Sequence, residues 1–210
     1  MSYYTKIIFI TGTPGTGKTT IADQLNMNLS EKSIVKLVKI NDFAIKNNLI
    51  DDEDLEKDYK VINILKLDKK LNEVINDFFS NEDDLKNLKI INFFNDFNYS
   101  KIVIVEGHLS HLCFLGGNVD KIIVLRLNPE ILENRLKLRD YAAAKINENL
   151  ESEVLGICSI EAHDIHGDKV NEIDTSGLSI ENVLDVLTSV LHDEKSYPIG
   201  HIDFSNWILD

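Results

Sequence analysis

Arginine is almost absent from this chain. Of 22 lysines and arginines only three are arginine, and Arg126, Arg135 and Arg139 stand close together. Cysteine is as scarce, with Cys113 and Cys158 the whole supply. Two cysteines build no disulfide framework, so a reducing, cytoplasmic setting fits best. Long apolar runs are missing. Stretches such as Ile7–Ile10 and Ile102–Val105 have the length of strands, too short to cross a membrane as a helix. Met1-Ser2-Tyr3-Tyr4 leads straight into the first of them, so no signal peptide is expected. Internal repeats and low-complexity linkers are missing too. Positive charge is in deficit, the formal net charge being −13. A protein that grips naked nucleic acid needs a basic surface, so extensive direct binding of RNA or DNA is not expected. A basic protein partner suits this charge better.

What is there is ordinary for a globular protein: 210 residues, 43% hydrophobic and 27% charged, enough for one domain with a sizeable core. Apolar periodicity predicts strands over 6–11, 34–40, 101–105, 121–127 and 170–173. It predicts helices over 18–29, 61–79, 82–97, 142–163 and 179–192. A short helix to about Asn48 is expected behind Asn41 or Asp42 as cap. Asn128-Pro129 opens another, with Asn at the N-cap and Pro at the first helical position. Residues 51–58 are strongly acidic and expected to be exposed. In the tail, 196–210, Tyr197, Phe204 and Trp207 are expected to staple the chain to the core. Strands alternating with helices give an α/β class with a mainly parallel sheet and helices on both faces. Ligands in such sheets bind beyond the strand C-termini, near Thr11, Glu106 and Arg126. The helical stretches between 42 and 98 read as an insertion over one side of that crevice.

Gly12-Thr13-Pro14-Gly15-Thr16-Gly17-Lys18-Thr19 matches the P-loop pattern G-x-x-x-x-G-K-T, with a strand before it and a helix after it. The backbone of such a loop curls so that its N–H groups converge on phosphate oxygens, a path that glycine permits. Gly12, Gly15, Thr16, Gly17, Lys18, Thr19 and Thr20 are therefore candidate ATP ligands. Lys18 would reach the β and γ phosphates, Thr19 would ligate Mg²⁺, and Thr20 adds a hydroxyl. Glu106 ends an apolar strand, the position from which P-loop proteins orient Mg²⁺ directly or through water. His108, two residues on, would position a water or contact a phosphate.

Lysine does not replace arginine where a planar fork of donors must grip phosphate oxygens. The clustered Arg126, Arg135 and Arg139 thus point to a second phosphate-handling segment. Arg135 and Arg139 share a helix face, and Arg139 with Lys145 would lie on a mobile cationic lid. His108, His111 and Cys113 form an H-x-x-H-x-C cluster that lacks a fourth zinc ligand, and His163 with His166 is a second pair; neither is read as a metal site. A GTPase switch is not expected, since no N-K-x-D motif is present.

Several of these segments agree with one family. The runs Ile10–Thr20, Glu106-Gly107-His108, Val124-Leu125-Arg126, Arg135-Leu136, Arg139-x-Tyr141-x-x-x-Lys145-Ile146-x-x-Asn149, Glu172–Gly177 and Tyr197–Phe204 resemble the atypical, nuclear-type adenylate kinases, especially their archaeal branch. That resemblance implies a single nucleoside monophosphate kinase-like P-loop domain over 1–210. It would carry a monophosphate-side helical insertion at about 37–98 and a lid at about 139–149. It implies transfer of the ATP γ-phosphate to a nucleoside monophosphate, AMP by default, with ATPase activity. Gly15, Gly17, Lys18, Thr19 and Thr20 would bind ATP, Arg139 would contact it from the lid, and Asp42 would lie in the acceptor region. Glu106 and His108 match an acid-x-His motif used for Mg²⁺ and water placement and for ATP hydrolysis. The lysine, glutamate, histidine and Arg139 are the candidate catalytic set; Asp42, Arg126 and Arg135 are the candidate acceptor ligands. The family acts in small ribosomal subunit maturation, which implies a basic small-subunit ribosomal protein of the S-eleven family as partner and transient contact with pre-small-subunit particles. Two departures are visible: Asp is common where Glu106 stands, and Gly where Asp140 stands. An ATP-driven assembly factor with negligible kinase activity is the alternative, as is a small-molecule kinase with a non-nucleotide acceptor.

Overall fold

Runs of β-branched residues at period two, separated by amphipathic stretches, dictate alternating strands and helices. The computed structural model describes residues 4–54, 59–81 and 99–208. The strands are β1 (Tyr4–Thr11), β2 (Ile34–Lys39), β3 (Ile50–Asp54), β4 (Tyr59–Ile62), β5 (Tyr99–Glu106), β6 (Lys121–Arg126) and β7 (Val170–Asp174). The helices are α1 (Lys18–Ser30), α2 (Ile40–Lys46), α3 (Ile64–Ser80), α4 (Pro129–Lys137), α5 (Ala143–Val154), α6 (Ile157–His166) and α7 (Ile180–Leu191).

One sheet runs in the order β2-β5-β1-β6-β7, and every pairing in it is parallel. A parallel sheet must be covered on both faces, and the alternation along β1 does this. Ile8 and Ile10 pack with Ile104, Leu125, α1 and α7, through Ile21, Leu25, Val183 and Leu187. Ile7 and Phe9 face the other way and pack with Val103, Val105, α3 and α6, through Leu67, Leu71, Ile75 and Ala162. Each fully buried side chain of this size contributes about 1.5–3 kcal/mol. A third, smaller cluster of Leu127, Leu132, Leu136, Ile146 and Leu150 joins α4 to α5, with Tyr141 and Trp207 against it. β1 lies between β5 and β6, so its C-terminal end opens at the centre of the sheet edge.

Four expectations change. The helix expected from 61 begins at Ile64, because 59–62 pair antiparallel with 50–54 as a hairpin and Asn63 caps the helix by accepting from Lys66 N at 2.9 Å. α3 is a core element, since Leu67, Leu71 and Ile75 are buried against the sheet rather than standing over the crevice. The helix expected over 142–163 is two helices, because Gly156 adopts φ 65 and restarts the chain as the N-cap of α6. Neither Asn41 nor Asp42 caps α2; the helix starts at Ile40 with Lys39 at the N-cap position, and both polar residues lie exposed in the first turn. Asp51 and Asp52 are exposed as expected, while 55–58 and the helix expected over 82–97 lie outside the described residues. The tail follows its apolar residues: Tyr197 packs on the α1 and α7 side, Trp207 on the third cluster, and the Phe204 ring lies 5.3 Å from the Arg126 guanidinium carbon. Among the described residues no helix is long and apolar enough to cross a membrane.

Candidate active site

The loop after β1 is shaped by glycines at positive φ, where any side chain would be strained. Gly12 has φ 129, and a Cβ there would stand 2.4 Å from the carbonyl oxygen of Leu125. Gly15 has φ 99, and its Cβ would meet Leu132 Cδ1 at 2.7 Å. Gly17 is the N-cap of α1 in left-handed geometry and offers no side-chain cap. The first-turn amides of α1 are thus left for an anion, which the helix dipole also favours.

Lys18 follows. It is buried, and its Nζ donates to the carbonyl of Thr13 at 2.9 Å. Burial pulls its ammonium down from 10.5 to about 8, against the pull of Cys158, Glu106 and Glu153, with Arg139 lowering it further. Thr19 and Thr20 are exposed at the cavity. Thr19 Oγ1 donates to Glu106 Oε1 at 3.1 Å, bringing the end of β5 to the first turn of α1. Thr16 turns the other way: its hydroxyl and its N–H both donate to the Thr13 carbonyl, at 3.0 and 3.3 Å, and hold the loop.

These residues open into one cavity of about 870 Å³. Its donor end is lined by Gly15, Gly17, Lys18, Thr19 and Thr20, and its floor by Glu106 and His108. Arg139, Tyr141, Lys145 and Asn149 line a second wall, with Lys145 Nζ 4.5 Å from the Tyr141 ring centroid. Lys39, Asn41 and Asp42, from the end of β2 and the start of α2, line it as well, with the apolar Ile45, Ile50 and Ile62, and Lys39 stands opposite Glu106 in the β2–β5 register. Lys39 pairs with Asp23 at 2.9 Å, which with burial opposing raises its pKa.

His108 is pushed down to about 4, by burial first and then by Lys18, so its imidazole is neutral at pH 7. His111 lies behind it, buried, with Nδ1 2.6 Å from Thr11 Oγ1 and Nε2 3.0 Å from Glu161 Oε2. The carboxylate can only accept, so Nε2 carries the proton and Nδ1 accepts from Thr11. Cys113 sits in the apolar core, its thiol raised to about 12 by burial. The three members of the H-x-x-H-x-C cluster therefore face three different surroundings. His166 Nε2 bonds the His111 carbonyl at 2.8 Å.

The arginines separate. Arg139 lines the cavity. Arg135 donates to the Gly15 carbonyl at 3.3 Å and braces the loop from behind. Arg126, read from the sequence as a phosphate and acceptor ligand, is turned into the protein. It is 2% exposed, its Nε donates to Glu153 Oε1 at 2.9 Å, and its Nη1 donates to Glu172 Oε1. Burial works against its charge, but Glu153 and Glu172 more than offset this and raise its pKa. Two carboxylates hold the fork, so it does not line the cavity. Sequence reasoning missed Glu153, Glu161 and Glu172. Glu172 was visible only as part of the Glu172–Gly177 run, which carried no role for its carboxylate.

The donor set fits the groups that the P-loop implies. A glycine cradle where Cβ atoms would collide, a helix N-terminus and a buried ammonium suit a triphosphate. The Thr19 hydroxyl and Glu106 carboxylate are hard oxygen donors of the kind Mg²⁺ prefers.

Residues 8–156 match a protein family described as AAA domain. The chain is 36% identical over 204 residues to a protein of Methanothermobacter thermautotrophicus named "Putative adenylate kinase", covering 97% of this chain and 99% of the other. It is 34% identical over 203 residues to a protein of the same name from Methanocaldococcus jannaschii, covering 97% and 95%. The chain belongs to this archaeal adenylate kinase-like family. Among solved structures, shikimate kinase from Acinetobacter baumannii superposes with a TM-score of 0.51 at 11% identity, over 90% of this chain and 94% of that one. That likeness concerns the fold alone, and it agrees with the sheet order: this adenylate kinase-like chain has the parallel α/β architecture of P-loop kinases.

Proposed function

We propose that this protein is a nucleoside monophosphate kinase that transfers the γ-phosphate of ATP to AMP. The observation that carries the reading is one cavity lined by two unlike sets of residues. Phosphate-binding machinery from the P-loop forms one set, and Asn41, Asp42 and the apolar Ile45, Ile50 and Ile62, from α2 and the β3–β4 hairpin, form the other. An apolar wall with a few polar groups suits a planar base, and one cavity that holds both sets suits two phosphate chains meeting in line.

In the reaction an acceptor phosphate oxygen forms a bond to the γ-phosphorus as the bond from that phosphorus to the β–γ bridging oxygen breaks. Negative charge grows on the β-phosphate. Lys18, carrying its proton, stabilises that charge, and the α1 amides hold the β-phosphate still. Thr19 and Glu106 would hold Mg²⁺, which would supply further positive charge against the phosphates. The 139–149 segment acts as a lid that brings Arg139 and Lys145 onto the transferring group and excludes water. His108, neutral, donates from its protonated ring nitrogen to a phosphate oxygen of the acceptor or, without an acceptor, accepts from a water and orients it. That water makes slow ATP hydrolysis the by-product.

The wider role in this reading is small ribosomal subunit maturation in the cytoplasm, in contact with a basic small-subunit ribosomal protein. The charge of −13 supports such a partner. The second reading, an ATP-driven assembly factor, is favoured by Glu106 and His108 together at the cavity floor, where a water could be held.

The test is product formation from Mg-ATP with each monophosphate in turn, beside acceptor-free controls and Lys18→Ala. Diphosphates formed from both donor and acceptor, and lost in the variant, establish the kinase and name its acceptor. ADP and free phosphate at a rate that no acceptor changes move the reading to the assembly factor.

A further inference from the structure

The second residue of the P-loop is tied to a distant helix. Thr13 is 1% exposed, and its hydroxyl donates to Glu153 Oε2. Its carbonyl receives Lys18 Nζ, Thr16 Oγ1 and Thr16 N. Thr13 is therefore the node on which the loop closes. Glu153, also 1% exposed, ends α5. Its Oε1 accepts from Arg126 Nε and from Leu127 N, each at 2.9 Å, and its own carbonyl accepts from Arg126 Nη2. Arg126 is fixed in turn to Glu172 on β7, which also receives Ser159 Oγ and Gly200 N. Both carboxylate oxygens of Glu153 are spoken for, and every partner is a donor.

We infer that Glu153 is a positioning residue that couples the shape of the P-loop to the docking of α5. Three features carry this. Glu153 is the direct bridge between the loop and α5. The same helix contributes Lys145, Glu148, Asn149 and Ser152 to the cavity wall. A buried ion cluster is also a poor device for stability alone, since apolar residues of like volume serve as well or better. A carboxylate accepts all three side-chain-directed donors, whereas a glutamine would present an N–H₂ to one of them. With Thr13 held, its carbonyl stays at a fixed place, and Lys18 moves from that carbonyl to the phosphates over a fixed path. Nucleotide at the loop and order in α5 then reinforce one another.

The inference rests on the P-loop being the nucleotide site, and the experiment separates the two. Mg-ATP binding is measured by calorimetry for the unaltered protein, Thr13→Val, Thr13→Ser and Glu153→Gln, with thermal unfolding of each. Hydrogen exchange over 143–154 is followed with and without Mg-ATP. Loss of the hydroxyl is expected to weaken Mg-ATP by about tenfold, the scale of one lost hydrogen bond to a charged group. Thr13→Ser should recover most of that loss, while the acceptor KM stays unchanged. Added protection of 143–154 on Mg-ATP binding should be present in the unaltered protein and Thr13→Ser, and lost in Thr13→Val. If Thr13→Val does not fold, Glu153→Gln carries the same expectation of weaker Mg-ATP and lost protection. Equal affinity in Thr13→Val and the unaltered protein, equal losses in the Val and Ser variants, or protection that ignores Thr13 would each overturn the coupling. Failure of the unaltered protein to bind Mg-ATP would instead overturn the nucleotide site itself.

Discussion

The hydroxyl of Thr19 donates to Glu106 Oε1 across 3.1 Å, joining the first turn of α1 to the end of β5. Two residues 87 positions apart thus bring two hard oxygen donors together, a pair that suits a hard cation. The contact follows from the sheet order. β1 and β5 are neighbours in parallel register, with Ile10 opposite Glu106, so the loop after one strand lies over the end of the other.

Replacing Glu106 by Gln keeps the shape and removes the charge. Phosphoryl transfer should fall by about a hundredfold or more, in the range of losing one preorganised electrostatic contact. The Mg²⁺ concentration for half-maximal rate should rise, and the melting temperature should stay within a few degrees. Steady-state rates across a Mg²⁺ titration check this; an unchanged Mg²⁺ dependence would remove Glu106 from the metal site.

Lys18 gives a pH signature. Its folded pKa is lowered by burial from 10.5 to about 8, so the empty protein releases this proton through pH 8. Phosphates need the ammonium, so Mg-ATP affinity should decline above about pH 8, and binding there should take up a proton. The sign for stability is opposite. Between about 8 and 10.5 the unfolded chain holds the proton that the folded chain has lost, so this group's burial penalty is relieved as pH rises. Calorimetry in buffers of different ionisation enthalpy reads the proton count; no uptake near pH 9 would contradict the assignment.

His108 predicts a missing feature. Its pKa is lowered to about 4, chiefly by burial, so the imidazole is neutral through the physiological range. The rate should show no acid limb near pH 6.5 from this residue. Unfolded, the same histidine protonates near 6.5, so its contribution to stability is present above that value and is lost as pH falls towards 4. A limb near 6.5 that disappears in His108→Asn would overturn the neutral role.

Arg126 is expected to matter for stability first. Arg126→Met leaves Glu153 and Glu172 buried without their cation, and the loss should be about 3–5 kcal/mol, read by chemical denaturation. Arg126→Lys should recover only part of it. One ammonium cannot reproduce the fork that reaches Glu153 Oε1, the Glu153 carbonyl and Glu172 together. A loss of acceptor binding without any loss of stability would restore the substrate role read from the sequence.

Local chemistry was legible. Glycines at Gly12, Gly15 and Gly17 mark a backbone at positive φ, and all three adopt it. Asn128-Pro129 marks a helix start; Asn128 Oδ1 accepts from Glu130 N at 2.9 Å. Boundaries were less legible where a neighbour decided them. The hairpin of 50–54 with 59–62 depends on cross-strand pairing, and the break at Gly156 sits where a Cβ would come within 3.2 Å of Arg126 Nη1.

The sequence by itself determined the alternating architecture, the P-loop and the strand-end acid, because period, glycine placement and short spacing act within a few residues. It also showed that arginine was scarce and clustered. Only the tertiary structure decided what each arginine does. Arg139 lines the cavity, while Arg126 is drawn inward by Glu153, 27 residues on, and Glu172, 46 residues on. A guanidinium binds whichever acceptors are nearest once solvent is excluded, and which acceptors those are is fixed by packing between strands and helices far apart in the chain.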